Sequence, residues 1–197
     1  IDRSRGLGDV YKRQDIDFAD RNIVLNKLKH RVAKLDTGKK HNTGVYFTEV
    51  PHNPLDNVST LDYKQAEDRG YFKIDFLNVS IYEKVKNEKH LVELMTKTPM
   101  WQLLEAKDFS DQVFHLNGHS AILQKLKPTS IEQLAAVLAI IRPSKRYLIN
   151  KSWDEIMKEV WVKPKEGYFF KKSHATSYAV AVIVHMNLIC EQLNNEK

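Results

Sequence analysis

Cysteine is nearly missing from this chain: Cys190 is the only one among 197 residues. No intrachain disulfide can form, which excludes a disulfide-stapled secreted scaffold and points to a reducing interior. Cys190 itself reads as a small buried apolar side chain of a helix. No CxxC pair exists to begin a structural zinc site. No GxxxxGK[ST] loop is present, so a P-loop ATPase is set aside, and no GxSxG elbow supports a Ser/His/Asp hydrolase. Long apolar runs are absent too. The longest, Ala175 to Cys190, falls short of about 18 residues and is broken by His185 and Asn187, so it reads as a buried core helix and predicts no membrane partner. Repeats and low-complexity tracts are missing as well.

The 42% hydrophobic content supports one substantial core or two small subdomains sharing an interface. Lys and Arg outnumber Asp and Glu by 31 to 25, giving +6 and a pI near 9.2, which suits a polyanionic partner. Residues 1–14 stand apart. The run Arg3 to Gln14, RSRGLGDVYKRQ, resembles a translated sequencing adapter and lacks the apolar core of a signal peptide; it is read as an assembly scar.

Two stretches alternate like strands and carry acids on one face. In Asp15, Ile16, Asp17, Phe18 the two aspartates share a side about 7 Å apart, with Ile16 and Phe18 on the other. In Tyr71 to Leu77, Lys73 and Asp75 share a face above Phe72, Ile74 and Phe76. Aspartates at strand ends often only hydrogen-bond the backbone, and a lone DxD is common by chance. Three convergent carboxylates, however, suit a hard cation such as Mg²⁺, which takes oxygen ligands and shares them with substrate phosphates.

Between these stretches, Asp20 is expected to cap a helix over roughly Arg21 to Leu35, with Leu25, Leu28, Val32 and Leu35 as its stripe. The basic segment Lys39 to Gly44 leads into a β-prone run, Val45 to Val50, then a turn-rich loop over Pro51 to Pro54. A short amphipathic stretch covers Thr60 to Arg69. Beyond Ser80 the sequence turns charged and helix-forming. Ser130 to Gln133 and Ser152 to Glu155 read as capping boxes, the first opening a helix that runs to Arg142. The second helix places Trp153, Ile156, Met157, Val160 and Trp161 on one packing face. The segment Gly167 to Ala179, GYFFKKSHATSYA, can present cations at a helix start to a triphosphate, and reads equally as a charged solvated loop. Arg142, Lys145 and Arg146 form another basic cluster, at a helix C-terminus where cations are favoured in any case.

Taken together these motifs resemble the C-family DNA polymerases, the alpha subunits of bacterial replicative DNA polymerase III, in a compact phage-like version. DIDFADR, Asp15 to Arg21, is similar to the end of the family's PDxDxDF palm motif; KKHNTGVYF, Lys39 to Phe47, is similar to its KHAGGVVI segment. GYFKIDFLNV, Gly70 to Val79, resembles VKFDFLGL. Val113 to Pro143 resembles the fingers pattern that begins VFQLES and ends RPGP, and GYFFKKSHATSYA parallels GYGFNKSHSAAYA.

The resemblance implies an α+β fold: a partial nucleotidyltransferase-like palm over 15–82, then helical fingers over 83–197. It implies that Asp15, Asp17 and Asp75 are catalytic ligands of two Mg²⁺ ions, with Lys73, Arg142, Lys172, Ser173 and His174 facing the incoming nucleotide and Lys39, Lys40, His41, Lys145 and Arg146 facing DNA phosphates. The implied reaction is attack of a primer 3′ hydroxyl on a deoxynucleoside triphosphate, in the cytoplasm of a bacterial or phage-infected cell. The implied partners are primer-template DNA, deoxynucleoside triphosphates, a sliding clamp and other replisome subunits. The chain departs from the family at His115, Asn117, Ser144 and Lys145, and shows neither the Gly-Ser palm motif nor a PHP domain, so it is read as a fragment with little activity alone. Two other classes remain open: a noncatalytic DNA-binding or scaffold module, and a nuclease using the same aspartates.

Overall fold

The alternation around the two acidic stretches does produce strands, and they are neighbours. In the computed structural model, which describes residues 14–163 and 170–195, the chain divides into two compact units, one up to Glu83 and one from Lys84. The expected scar, Gln14 apart, and residues 167–169 of the GYFFKKSHATSYA segment lie outside the described residues.

The first unit is α+β, built on a mixed sheet. β1 (Gln14–Phe18) runs parallel to β5 (Ile74–Asn78), which is antiparallel to β3 (Lys40–Tyr46). β3 is antiparallel to β2 (Arg31–Lys34), and β2 parallel to β4 (Val58–Asp62), for the order β1-β5-β3-β2-β4. Successive side chains of β3 point to opposite faces, so Val45 and Tyr46 enter different cores. Val45 packs with Leu25 and Phe76, and Phe18 lies 4.7 Å from Phe76 between ring centroids. Tyr46 packs with Ala33, Val50 and Ala66 on the other face, the face of Asp15 and Asp75.

The helix expected over Arg21 to Leu35 is not formed. Asp20 does cap a helix, accepting the Asn22 N–H at 2.8 Å, but α1 covers only Arg21–Leu25. After a turn, strand β2 takes Arg31–Lys34, because pairing with β3 buries Ala33 completely, and the Val32 N–H donates to Asn57 O at 2.9 Å. Leu28, part of the supposed stripe, stays 44% exposed. The β-prone run is likewise shifted: the strand begins at Lys40, within the basic segment, after a tight turn in which Gly38 adopts φ +84°. The stretch Thr60 to Arg69 is strand then helix, with α2 (Tyr63–Asp68) opened by a full capping box between Asp62 and Gln65.

The second unit is helical: α3 (Glu88–Thr96), α4 (Lys107–Ser110), α5 (Ser120–Leu126), α6 (Ile131–Ile140), α7 (Trp153–Glu159) and α8 (Lys172–Asn195), with 3₁₀ turns at Trp101–Glu105 and Pro143–Asn150. Every residue of α6 from Leu134 to Ile140 is buried, as expected of a helix apolar on all sides. It packs against α8. α8 also holds α3: Asn187 donates to Leu94 O and Lys97 O, both at 2.9 Å, and His90 Nε2 meets Glu191 Oε2 at 3.0 Å. By length and composition α8, with a mean hydropathy of 1.2, could cross a membrane; 61% of that window is buried inside the protein, the pattern of a core helix.

The box at Ser130 is only half formed. Ser130 accepts from Gln133 N–H, while the Gln133 side chain reaches back to Thr129 instead. At Ser152 it is complete, and Trp153, Ile156, Met157, Val160 and Trp161 do pack into the core beneath. The Ser152 N–H and hydroxyl, with Lys151 behind them, hold the Glu155 carboxyl down at about 2. Its folded value lies below the ordinary 4.5, so the contact stabilises fully above the unfolded value and is lost as pH falls through about 2. An NMR titration is expected to place the Glu155 midpoint near 2, and in Ser152→Ala to move it back toward 4.5. An unmoved midpoint would assign the shift to the Ser152 N–H, which alanine keeps, rather than to the hydroxyl.

Candidate functional site

The parallel pairing of β1 and β5 sets Asp15 opposite Asp75, and Asp17 one pleat further along opposite Leu77. Partners in register point to the same side, so all three carboxylates share one face, with neighbouring strands about 4.8 Å apart. Asp15 and Asp17 are exposed. Partial desolvation, and after it the charge of Asp15, raises the Asp17 carboxyl. Nearby, burial and then the charge of Asp17 raise the Tyr82 hydroxyl.

Asp75 is held differently. Thr43 Oγ1 donates to its Oδ1 at 2.7 Å, Lys73 Nζ is bonded to its Oδ2, and His41 Nδ1 stands 3.7 Å from Oδ1. Desolvation pushes its carboxyl up, but the hydrogen bonds of Lys73 and Thr43 and the charges of Lys73 and His41 outweigh it, and the net shift is downward. His41 in turn accepts the N–H groups of Gly44 at 2.9 Å and Thr43 at 3.2 Å on Nδ1. Burial first, then Lys73 and Arg21 against the opposing pull of Asp75, lowers its pKa; because Nδ1 accepts both N–H groups, the ring's proton is carried on Nε2 when the imidazole is neutral. Arg21 is anchored to β5: its N–H donates to Asn78 Oδ1 at 2.8 Å and its Nη1 to Phe76 O at 3.1 Å.

Gly44 is what lets this network close. A Cβ there would lie 2.7 Å from Lys73 Cδ, 3.1 Å from His41 Nδ1 and 3.2 Å from Ala33 Cβ. Gly44→Ala is therefore expected to displace the Lys73 stem, return the Asp75 midpoint toward the ordinary carboxylate range, and cost about 1–3 kcal/mol of stability. Carboxyl-detected NMR with urea unfolding checks both; an unmoved Asp75 midpoint would show that the ion pair does not depend on the close approach.

By residue type and strand placement the three aspartates fit a hard divalent cation. As they stand they are not gathered: among the described residues no group of three or more His, Cys, Asp or Glu side chains could hold a metal ion. The physical reason is visible, since both oxygens of Asp75 already have partners in Thr43 and Lys73. Lys39 and Lys40 are exposed at the start of β3, whereas His41 is half-buried in the Asp75 network.

In the second unit, Arg142 lies over the Phe170 ring, 5.2 Å from its centroid, two residues before α8 begins with Lys172, Ser173 and His174. Phe170 is 5.9 Å from Tyr178, and Tyr178 packs edge-on at 4.6 Å against His115, which has φ +61°. The arginine and the helix start, 30 residues apart in sequence, thus share one aromatic cluster. Its members Phe170, Tyr178 and His115 received no role from the sequence reading. His115 and His119 stand four apart in HLNGH, an HxxxH spacing that could have drawn attention to them. Desolvation, then Arg142 for His115 and Arg146 and Arg142 for His119, lowers both.

Lys145 departs from its expected place. It is 5% exposed, and its ammonium donates to Glu159 O at 2.8 Å and Val162 O at 2.6 Å, closing the end of α7 rather than meeting solvent phosphates. Burial, against the opposing charge of Glu159, lowers its pKa. Arg146 is exposed, with one Nη2 bond to Ile141 O at 2.7 Å.

No protein-family model matches the chain, and no curated protein matches it significantly. What stands on fold and site is an α+β chain with a mixed five-stranded sheet bearing an acidic face.

Proposed function

We propose that the chain is part of a C-family DNA polymerase, the partial palm and the fingers, whose parent adds deoxynucleotides to a primer in the cytoplasm of a bacterial or phage-infected cell. The observation that carries this reading is the β1–β5 register: two aspartate motifs 60 residues apart, each similar to a family palm motif, become in-register neighbours on one face. Asp15, Asp17 and Asp75 would hold the two Mg²⁺ ions. Held there, the ions would neutralise charge developing on the attacking and leaving oxygens. The chain's own residues orient and neutralise: Thr43 fixes one oxygen of Asp75, and Lys73 balances its charge until phosphate arrives.

One observation favours the noncatalytic alternative, a DNA-binding module that keeps the fold: Asp75 is already neutralised by Lys73. Primer extension by a chain carrying the upstream Gly-Ser palm segment decides between them. Mg²⁺-dependent incorporation of deoxynucleotides is expected; DNA binding without incorporation would establish the module, and primer degradation without nucleotides the nuclease.

A further inference from the structure

A cavity of about 360 Å³ lies within the helical unit, and the acidic sheet takes no part in it. One face of α8 forms its floor, since His185, Ile189, Gln192 and Leu193 fall at helical spacing. Lys84 and Gln112 complete the lining. Its polar groups are held in place. His185 Nδ1 accepts the Phe114 N–H at 3.0 Å, which leaves Nε2 as the ring nitrogen for a ligand. Lys84 Nζ donates to Gln192 Oε1 at 3.2 Å, which takes one of the three N–H bonds of the ammonium. Gln112 Nε2 donates to Asp108 O at 2.7 Å. A few fixed polar groups beside apolar ones, in a space of about 300–1,000 Å³, are how small-ligand sites are built.

The charge in this cavity is one-sided. Lys84 is its cation, and among the described residues no carboxylate lines it. The acids close by in sequence have other partners: Glu191 bonds to His90, while Asp111 pairs with Lys107 and accepts the Gly118 N–H. Desolvation, then the charge of Lys84, lowers the pKa of His185, and with Nδ1 an acceptor the neutral ring donates from Nε2. One ammonium balances one negative charge, whereas a phosphate dianion would bring a second without a partner. Ile189 and Leu193 have no donors for further oxygens and suit an aliphatic stem. Among the described residues only the imidazole of His185 gives the lining a ring, and no Phe, Tyr or Trp offers a stacking face to a base or a sugar.

We infer that this cavity binds a monocarboxylate with a short branched aliphatic stem, its oxygens between Lys84 Nζ and His185 Nε2 and its stem against Ile189 and Leu193. A free branched-chain acid carries that group, and so does the end of a peptide that closes on an aliphatic residue. The inference uses neither the three aspartates nor the polymerase reading.

The test titrates the 197-residue chain at constant ionic strength with 3-methylbutanoate, its neutral amide, N-acetylleucine and inorganic phosphate. NMR follows the His185 ring and the side-chain amides of Gln112 and Gln192. Saturable shifts are expected with 3-methylbutanoate, and binding about tenfold weaker or less with the amide and with phosphate. N-acetylleucine binding tighter than 3-methylbutanoate would assign the carboxylate to a peptide end, and the reverse order to a free acid. Lys84→Met keeps the stem and removes the charge; it is expected to weaken 3-methylbutanoate about tenfold or more, with folding read from the same spectra. Lys89→Met, an exposed lysine outside the cavity, is expected to change nothing. The amide binding as tightly as the acid would reduce the cavity to an apolar cleft and overturn the proposal. Phosphate binding more tightly than the acid would overturn it too, as would an absence of saturable shifts or equal effects of the two lysine variants.

Discussion

Asp75→Ala is expected to lower primer extension by the longer chain about a thousandfold or more while DNA binding changes little. The size follows from charge. A carboxylate that helps hold the cations supplies several kcal/mol of transition-state stabilisation, and about 4 kcal/mol corresponds to three powers of ten in rate. Asp75 is also the side chain on which Lys73, Thr43 and His41 converge, so truncation leaves a half-buried ammonium without its counterion. Asp75→Asn separates the two effects. The amide oxygen can still accept from Thr43, and the shape is kept, but the charge needed by a metal is gone. Extension lost in both variants, with Asn closer to wild type in urea unfolding, assigns the loss to charge. Extension surviving in Asp75→Asn would show that this carboxylate is no metal ligand, and the polymerase reading would fall with it.

The second large effect belongs to the helical unit and concerns stability alone. Ile183 lies on α8 at 2% exposure in the cluster that includes Leu134, Leu138 and Ile140 of α6. Ile183→Ala removes three carbons from close-packed surroundings and is expected to cost about 2–5 kcal/mol, the span reflecting how far neighbours collapse into the hole. Leu193, on the same helix at 53% exposure, is the comparison; its truncation is expected to stay within about 0.5 kcal/mol. Urea unfolding followed by tryptophan fluorescence reads this unit directly, since Trp101, Trp153 and Trp161 all pack against its core. Equal effects at the two positions would mean that α8 is held by something other than the α6 contact.

How much of this was legible in the sequence depends on the range of the interactions involved. The Asp20, Ser130 and Ser152 caps are local, side chain to backbone within three residues, and all three form. The acidic strands showed themselves by alternation, which is again local. The helix through Leu28 and Val32 was misread because the same apolar spacing serves a short helix and a following strand; only the distant partner β3 decides, by burying Ala33. Lys145 was assigned to the surface by its type. Nothing nearby in sequence announces that its stem is buried and its ammonium spent on carbonyls fourteen and seventeen residues away. The site follows the same rule: the aspartates were visible, while Thr43 and Gly44 gained roles only once β3 lay beside β5.

Among the described residues β1 pairs with β5 alone, which makes it the border of the sheet. A border strand offers its outward peptide groups to any extended segment, including a second copy of the same chain, and proteins commonly deter this with charge. Two negative side chains, Asp15 and Asp17, stand on one face of that strand. Stacking a second identical strand against the first would bring four like charges together. The carboxylates proposed for catalysis thus also act as gatekeepers against self-association, and neutralising them for a mechanistic experiment removes a solubility device at the same time.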